Sequence, residues 1–115
     1  MFVEERIYTL HPGKTPEYLK LYQEEGMAIQ TRILPALVGY YTSEIGTLNL
    51  VVHMWAYEDL KQRAEYRAKM MADAGWQAYV KKVTPLIVHQ ESRILNPAPF
   101  FAAQLQAMIK ASKAA

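Results

Sequence analysis

The run Thr47-Leu48-Asn49-Leu50-Val51-Val52-His53-Met54-Trp55-Ala56-Tyr57 constrains this 115-residue chain more than any other stretch. It reads as a strand, and successive side chains on a strand point to opposite faces. One alternate set, Leu48, Leu50, Val52 and Met54, is wholly apolar. The other set, Asn49, Val51, His53, Trp55 and Tyr57, is apolar but carries polar handles. The first set is expected to meet a helix layer. The second is expected to line a space that tolerates an imidazole, an indole N–H and an amide, which makes it the candidate functional face.

The segments around this strand set the order of elements. Residues 2–10 alternate, with Glu4, Arg6 and Tyr8 on one face and Val3, Ile7 and Thr9 on the other. His11-Pro12-Gly13 stops that strand. Thr15-Pro16-Glu17 then opens a helix with a hydroxyl cap, an early proline and an acid in the first turn. Tyr18, Leu21, Tyr22, Ile29 and Ile33 form its apolar stripe, Gly26 interrupts it, and Pro35 closes it. Leu37–Ser43 is a second strand, joined to the opening run through Glu44-Ile45-Gly46-Thr47 as a hairpin. Glu58-Asp59 starts another helix, with acid-first pairs Asp59/Arg63 and Glu65/Lys69 and a small-residue stripe of Leu60, Ala64, Ala68, Met71 and Ala72. Asp73 caps a continuation through Trp76, Tyr79 and Val80, which Thr84-Pro85 ends. Leu86–Leu95 is the fourth strand, and residues 102–112 are helix-prone, with Leu105, Met108 and Ile109 on one side and fraying expected at the last few positions.

The order strand, helix, strand, strand, helix, strand is that of an α+β, ferredoxin-like βαββαβ domain. Such a domain has a four-stranded antiparallel sheet with its helices on one face. The opposite face is left bare by the chain, and aromatic groups there would make a large exposed patch. A second copy packed sheet to sheet removes it, so a homodimer is expected. Residues 1–99 form this domain, and 100–115 a helical extension.

Composition narrows the function. With 13 basic against 11 acidic residues, none concentrated in one segment, nucleic acid is not an expected partner. No cysteine is present, so thiolate chemistry and disulfides are excluded. No apolar run approaches the ~20 residues of a membrane span, and no signal peptide is visible, so a cytoplasmic protein without membrane partners is expected. His11, His53 and His89 lack motif spacing, so neither a metal site nor a cofactor is expected. There is no phosphate-cradling glycine loop and no nucleophile elbow.

Candidate site residues have two readings each. His53 is a general base in a semi-enclosed pocket, or a buried histidine bonded to a neighbour. Arg6 clamps an oxyanion while Tyr8 donates to it, or Arg6 ties strands together by pairing with Glu4 or Glu91. Trp55 and Tyr41 are the candidate apolar walls, and Asn49 and Glu91 further ligand contacts.

Several strings together resemble one family. They are Arg6-Ile7-Tyr8-Thr9-Leu10, Pro12-Gly13-Lys14, Leu37-Val38-Gly39-Tyr40-Tyr41 and Val52-His53-Met54-Trp55-Ala56-Tyr57-Glu58-Asp59. Trp76-Gln77-Ala78-Tyr79 and Gln90-Glu91-Ser92-Arg93-Ile94-Leu95 through Pro97-Ala98-Pro99-Phe100 continue the match. Over residues 3–100 the chain resembles the NIPSNAP family. The resemblance implies a dimeric α+β barrel, a superfamily that includes cofactor-independent monooxygenases, isomerases and ligand-sensing proteins. Three functions follow as expectations. The first is binding of a small, partly apolar or anionic molecule in the barrel pocket. The second is cofactor-independent oxygenation or isomerisation, with His53 taking a proton while Arg6 and Tyr8 hold an oxyanion. The third is a non-catalytic scaffold. The segment after Phe101 departs from the family pattern and is read as a possible dimer clasp.

Overall fold

The computed structural model describes residues 1–113, and the fraying expected of the last few positions lies in part outside the described residues. Four strands form one antiparallel sheet: β1 (Phe2–Leu10), β2 (Leu37–Thr42), β3 (Leu50–Tyr57) and β4 (Ile87–Leu95), in the spatial order β2-β3-β1-β4. The helices are α1 (Thr15–Leu21), α2 (Met27–Ile33), α3 (Leu60–Ala72), α4 (Ala74–Val83) and α5 (Ala102–Lys113). This is the expected ferredoxin-like arrangement.

α1 and α2 form one arm interrupted by a widened π turn over Tyr22–Gly26. The arm's most buried positions are Tyr18, Tyr22, Gly26, Gln30 and Leu34, spaced four residues apart. In a regular α-helix each such step drifts about 40° around the axis. The wide turn offsets that drift and keeps Tyr22 and Gln30 aimed with Tyr18 at the sheet. Gly26 allows the arm to approach α4: a Cβ there would sit 2.9 Å from the Tyr79 ring.

α3 begins at Asp59, whose side chain accepts from the Gln62 backbone N–H. Its inward face is Arg63, Tyr66, Arg67 and Met70, at helical spacing. The expected small-residue stripe is instead turned to solvent at Leu60, Ala64, Ala68 and Met71. The physical reason lies across the interface. The sheet presents a buried carboxylate, Glu4, so arginines rather than alanines face it. Asp73 caps α4 by accepting from the Trp76 N–H and is bridged by Arg32 at 3.1 Å.

The two faces of β3 are the reverse of the expected ones. Val51, His53 and Trp55 are buried against the helices, with Trp55 0% exposed. Leu50, Val52 and Met54 lie on the opposite, open face. The strand also starts later than expected. Thr47–Asn49 is loop, Asn49 has φ +63°, and the alternation therefore begins at Leu50. Asparagine tolerates that left-handed geometry better than most residues.

The open face is not wholly bare. α5 reaches one end of it, where Leu105 is buried and Val3, Met54, Leu95 and Phe101 help line an apolar recess of about 390 Å³.

Candidate functional site

The candidate site lies between the sheet and the helices. Strand register builds it. Arg6 pairs with His53 on one side and Ser92 on the other, and Tyr40 lies opposite His53 from β2. Tyr8 is two residues along from Arg6 on the same face. From the helices, Tyr18, Tyr22, Gln30 and Tyr79 come down on this row. A cavity of about 70 Å³ remains, with Tyr8, Tyr18, Tyr22, Gln30, His53 and Gln90 in its wall. Thr84, Ile87 and Gln90 also line an outer recess of about 390 Å³, so cavity and recess share a wall at the start of β4.

His53 is the polar centre of this wall. It is 1% exposed. The Trp55 indole N–H donates to its Nδ1 at 2.7 Å. Nδ1 therefore carries the lone pair, and the ring proton of the neutral imidazole sits on Nε2. Nε2 has no hydrogen-bond partner within the described residues. Burial, reinforced by the Arg6 charge, lowers the His53 pKa to about 3, so the ring is neutral over the physiological range. Tyr8 meets the imidazole edge-on at 4.8 Å between centroids, and Tyr40 stacks on it at 4.9 Å.

The phenols around it form a bonded set. The hydroxyls of Tyr18 and Tyr40 are 2.7 Å apart, and Tyr22 donates to Gln30 Oε1 at 2.7 Å. Burial raises the pKa of Tyr18, Tyr22, Tyr40 and Tyr79, so all four stay protonated. Arg6 Nε donates to the Tyr8 hydroxyl at 3.3 Å.

Beside this wall is a charge cluster around Glu4, which is 0% exposed. Arg63 grips it with two bonds of 2.9 Å, Arg6 reaches it at 3.1 Å, and the Ser92 hydroxyl donates to it. Burial would raise the Glu4 pKa, but the bonds from Arg63 and Ser92 and the two guanidinium charges outweigh it and hold it at about 2. A buried carboxylate is tolerated when it is paired and hydrogen-bonded in this way.

The register sorts the candidate residues. His53, Arg6, Tyr8 and Trp55 come together. Glu91 and Tyr41 do not join them: Glu91 pairs with Ile7 and Tyr41 with Val52, so both belong to the open face, and Tyr41 is 59% exposed. The pairing of Arg6 with Glu91 is thereby excluded in favour of Glu4. Asn49 lies in the loop before β3, its carbonyl accepting from the Leu10 N–H. Arg63, Ser92, Tyr18, Tyr22, Gln30 and Gln90 join the site without having been singled out by the sequence reading. Arg63 and Arg67, four apart on one helix, were the available signal. Among the described residues no group of three or more His, Cys, Asp or Glu is placed to hold a metal, and no helix is long and apolar enough to cross a membrane.

The architecture defines the class: a ferredoxin-like α+β domain of the kind found in a putative antibiotic biosynthesis monooxygenase from Nitrosomonas europaea (TM-score 0.62, 15% identity, covering 84% of this chain and 98% of that one). That likeness is one of fold alone. The NIPSNAP family model matches residues 3–102, and the chain belongs to that family. It is 50% identical to a NIPSNAP family protein from Agrobacterium tumefaciens whose crystal structure superposes with a TM-score of 0.84, covering 86% of this chain and 87% of that one. It is also 37% identical over 94 residues to NipSnap homolog 2 of Danio rerio, covering 82% of this chain and 32% of that protein. The chain thus spans about a third of the length of that curated relative.

Proposed function

We propose that the protein is a homodimer that binds a small oxygen-bearing molecule, partly apolar or anionic, in the cavity between sheet and helices. One observation carries the reading. His53 lines a cavity, and its buried Nε2–H has no partner among the described residues. An unmade buried hydrogen bond costs ~1–3 kcal/mol, and an acceptor atom in the cavity removes that cost. At about 70 Å³ the cavity has room for roughly two water volumes, or a group of a few heavy atoms. A larger ligand would seat one polar end there and extend past Gln90 into the outer recess, where Thr84 and His89 offer further polar contacts.

The buried groups favour binding over proton abstraction. His53 has its lone pair engaged by Trp55, the surrounding phenols are held protonated, and Glu4 is fully bonded. The wall therefore offers donors. Oxygenation or isomerisation of a carbon acid needs a base as well. The open sheet face supports the dimer, because it carries Ile7, Leu50, Val52, Met54 and Tyr41.

The test is native mass spectrometry of the protein incubated with a metabolite extract, comparing wild type with His53→Phe. The substitution keeps an aromatic ring and removes the Nε2–H donor. Wild type is expected to retain a small molecule that His53→Phe releases. Equal retention by both proteins would sink the site.

A further inference from the structure

The wall that the cavity shares with the outer recess is built on an irregularity in β4. β1 and β4 pair with Tyr8 opposite Gln90 and Thr9 opposite His89, but Leu10 stands opposite Ile87. Val88 is therefore an extra residue on β4, a β-bulge. Residues directly opposite in an antiparallel pair share a face. Gln90 thus lies on the helix-facing side with Tyr8, and Ile87 with the buried Leu10. On a regular strand one residue separates neighbours in such a row. Here two do, Val88 and His89, and both are exposed. The helix-facing row is thereby stretched between Gln90 and Ile87 by up to about 3.3 Å, the rise of one residue.

Both sides of that gap meet both spaces. Gln90, Ile87 and Thr84 line the cavity and the outer recess alike, whereas Val88 and His89 line the recess alone. β4 is an edge strand, so no further strand closes this side of the sheet. Thr84 opens the turn between α4 and β4, and its hydroxyl donates to the Val80 carbonyl at 2.6 Å. That leaves the hydroxyl oxygen as an acceptor, while the Gln90 amide supplies both a donor and an acceptor. Bulges recur beside functional sites, where they interrupt pairing and re-aim side chains.

We propose that the gap between Gln90 and Ile87 is the mouth of the cavity, and that Gln90 sets the width of the ligand that enters. The proposal rests on the reading of the cavity as a ligand site and narrows the ligand's class. The part that crosses β4 is slim and unbranched, and it carries a hydrogen-bonding group where it meets the Gln90 amide. The oxygen-bearing end lies inside, and the remainder lies in the recess.

The chain has no cysteine, so a single introduced one reports access. Val83 is buried and lines the cavity but not the recess. The test is the rate at which the full chain carrying Val83→Cys reacts with methyl methanethiosulfonate and with the wider benzyl methanethiosulfonate. The thiolate attacks the reagent's divalent sulfur and displaces methanesulfinate, leaving a mixed disulfide. The urea-unfolded chain gives the intrinsic ratio of the two rates. With Gln90 in place, the folded chain is expected to favour the small reagent about tenfold beyond that ratio. Gln90→Ala should return the ratio to its intrinsic value, and Gln90→Trp should slow both reagents about tenfold or more. Access through local unfolding would give the intrinsic ratio whatever stands at position 90, because an opened chain admits both reagents alike. That result, a ratio and rates unmoved by either substitution, or no reaction of the folded chain with either reagent would each overturn the proposal. Should Val83→Cys fail to fold, Val80→Cys, also in the cavity wall and outside the recess, is read in the same way. Reagent access and metabolite capture are separate readouts. Size-selective access without capture fails the ligand reading alone, and capture with an unmoved ratio fails the mouth alone.

Discussion

A buried histidine held neutral makes stability depend on pH in a definite direction. His53 has its pKa lowered to about 3 in the folded protein, against 6.5 in an exposed chain. Between those values the unfolded chain binds a proton that the native protein does not. Stability therefore rises with pH across this window and is lost as pH falls below 6.5. Glu4, lowered from 4.5 to about 2, acts in the same direction at lower pH. From pH 6.5 to 5 the His53 contribution to the loss is about 2 kcal/mol. Urea unfolding at pH 7 and pH 5 should show this loss in wild type and a smaller one in His53→Gln. Equal losses would mean that His53 is not held neutral. The sequence already placed His53 and Trp55 on one strand face and Arg6 with Tyr8 on another. It did not show which face met the helices, because Leu50, Val52 and Met54 are as apolar as the face that is buried. Nor could Arg63 be read as the partner of Glu4. Its local signal was a pair with Asp59, and the long-range carboxylate won because Asp59 is used as a cap.

The helical arm shows how an element can be legible in outline and hidden in detail. Proline at the start, proline after the end and an aromatic stripe marked its span. The wide turn at Tyr22–Gly26 was marked only by a strict four-residue spacing of the positions that turn out to be buried. Gly26 was read as an interruption of the helix, but its use is close approach. Alanine there gains helix propensity of about 1 kcal/mol. Its Cβ, however, would meet the Tyr79 ring at 2.9 Å, and that ring packs against Tyr22 and Trp76. Overpacking of this kind costs ~1–3 kcal/mol, so Gly26→Ala should be destabilising on balance. Urea denaturation measures it, and a variant more stable than wild type would show that the arm can move away from α4. β3 has a similar history. Its length was overestimated because Thr47-Leu48-Asn49 continues the alternation in sequence, whereas Asn49 breaks it with a positive φ.

The domain's strand order followed from the sequence of elements, since a βαββαβ chain with right-handed crossovers has few antiparallel solutions. The position of α5 did not follow, because a short amphipathic helix can dock on any apolar surface. Its place bears on assembly. Four strands about 4.8 Å apart and about eight residues long present roughly 500 Å² on the open face. A standard interface buries about 800 Å² on each partner, so the sheet alone is too small. α5 and the turn before it enlarge the apolar surface: Phe100 is 90% exposed, and Phe101 and Met108 are also exposed. A dimer built on the sheet should therefore depend on both parts. Sedimentation at micromolar concentration is expected to give twice the 13.2 kDa chain mass for wild type. Val52→Glu, which places a charge at the middle of the open face, should give the 13.2 kDa species with an unchanged far-ultraviolet circular dichroism spectrum. Phe100→Asp should weaken association without abolishing it, since it removes only part of the added surface. If Phe100→Asp has no effect while Val52→Glu dissociates the dimer, the contact is confined to the sheet and α5 is only a cover for Val3 and Met54. If wild type sediments as a 13.2 kDa species, the open face is not a self-association surface.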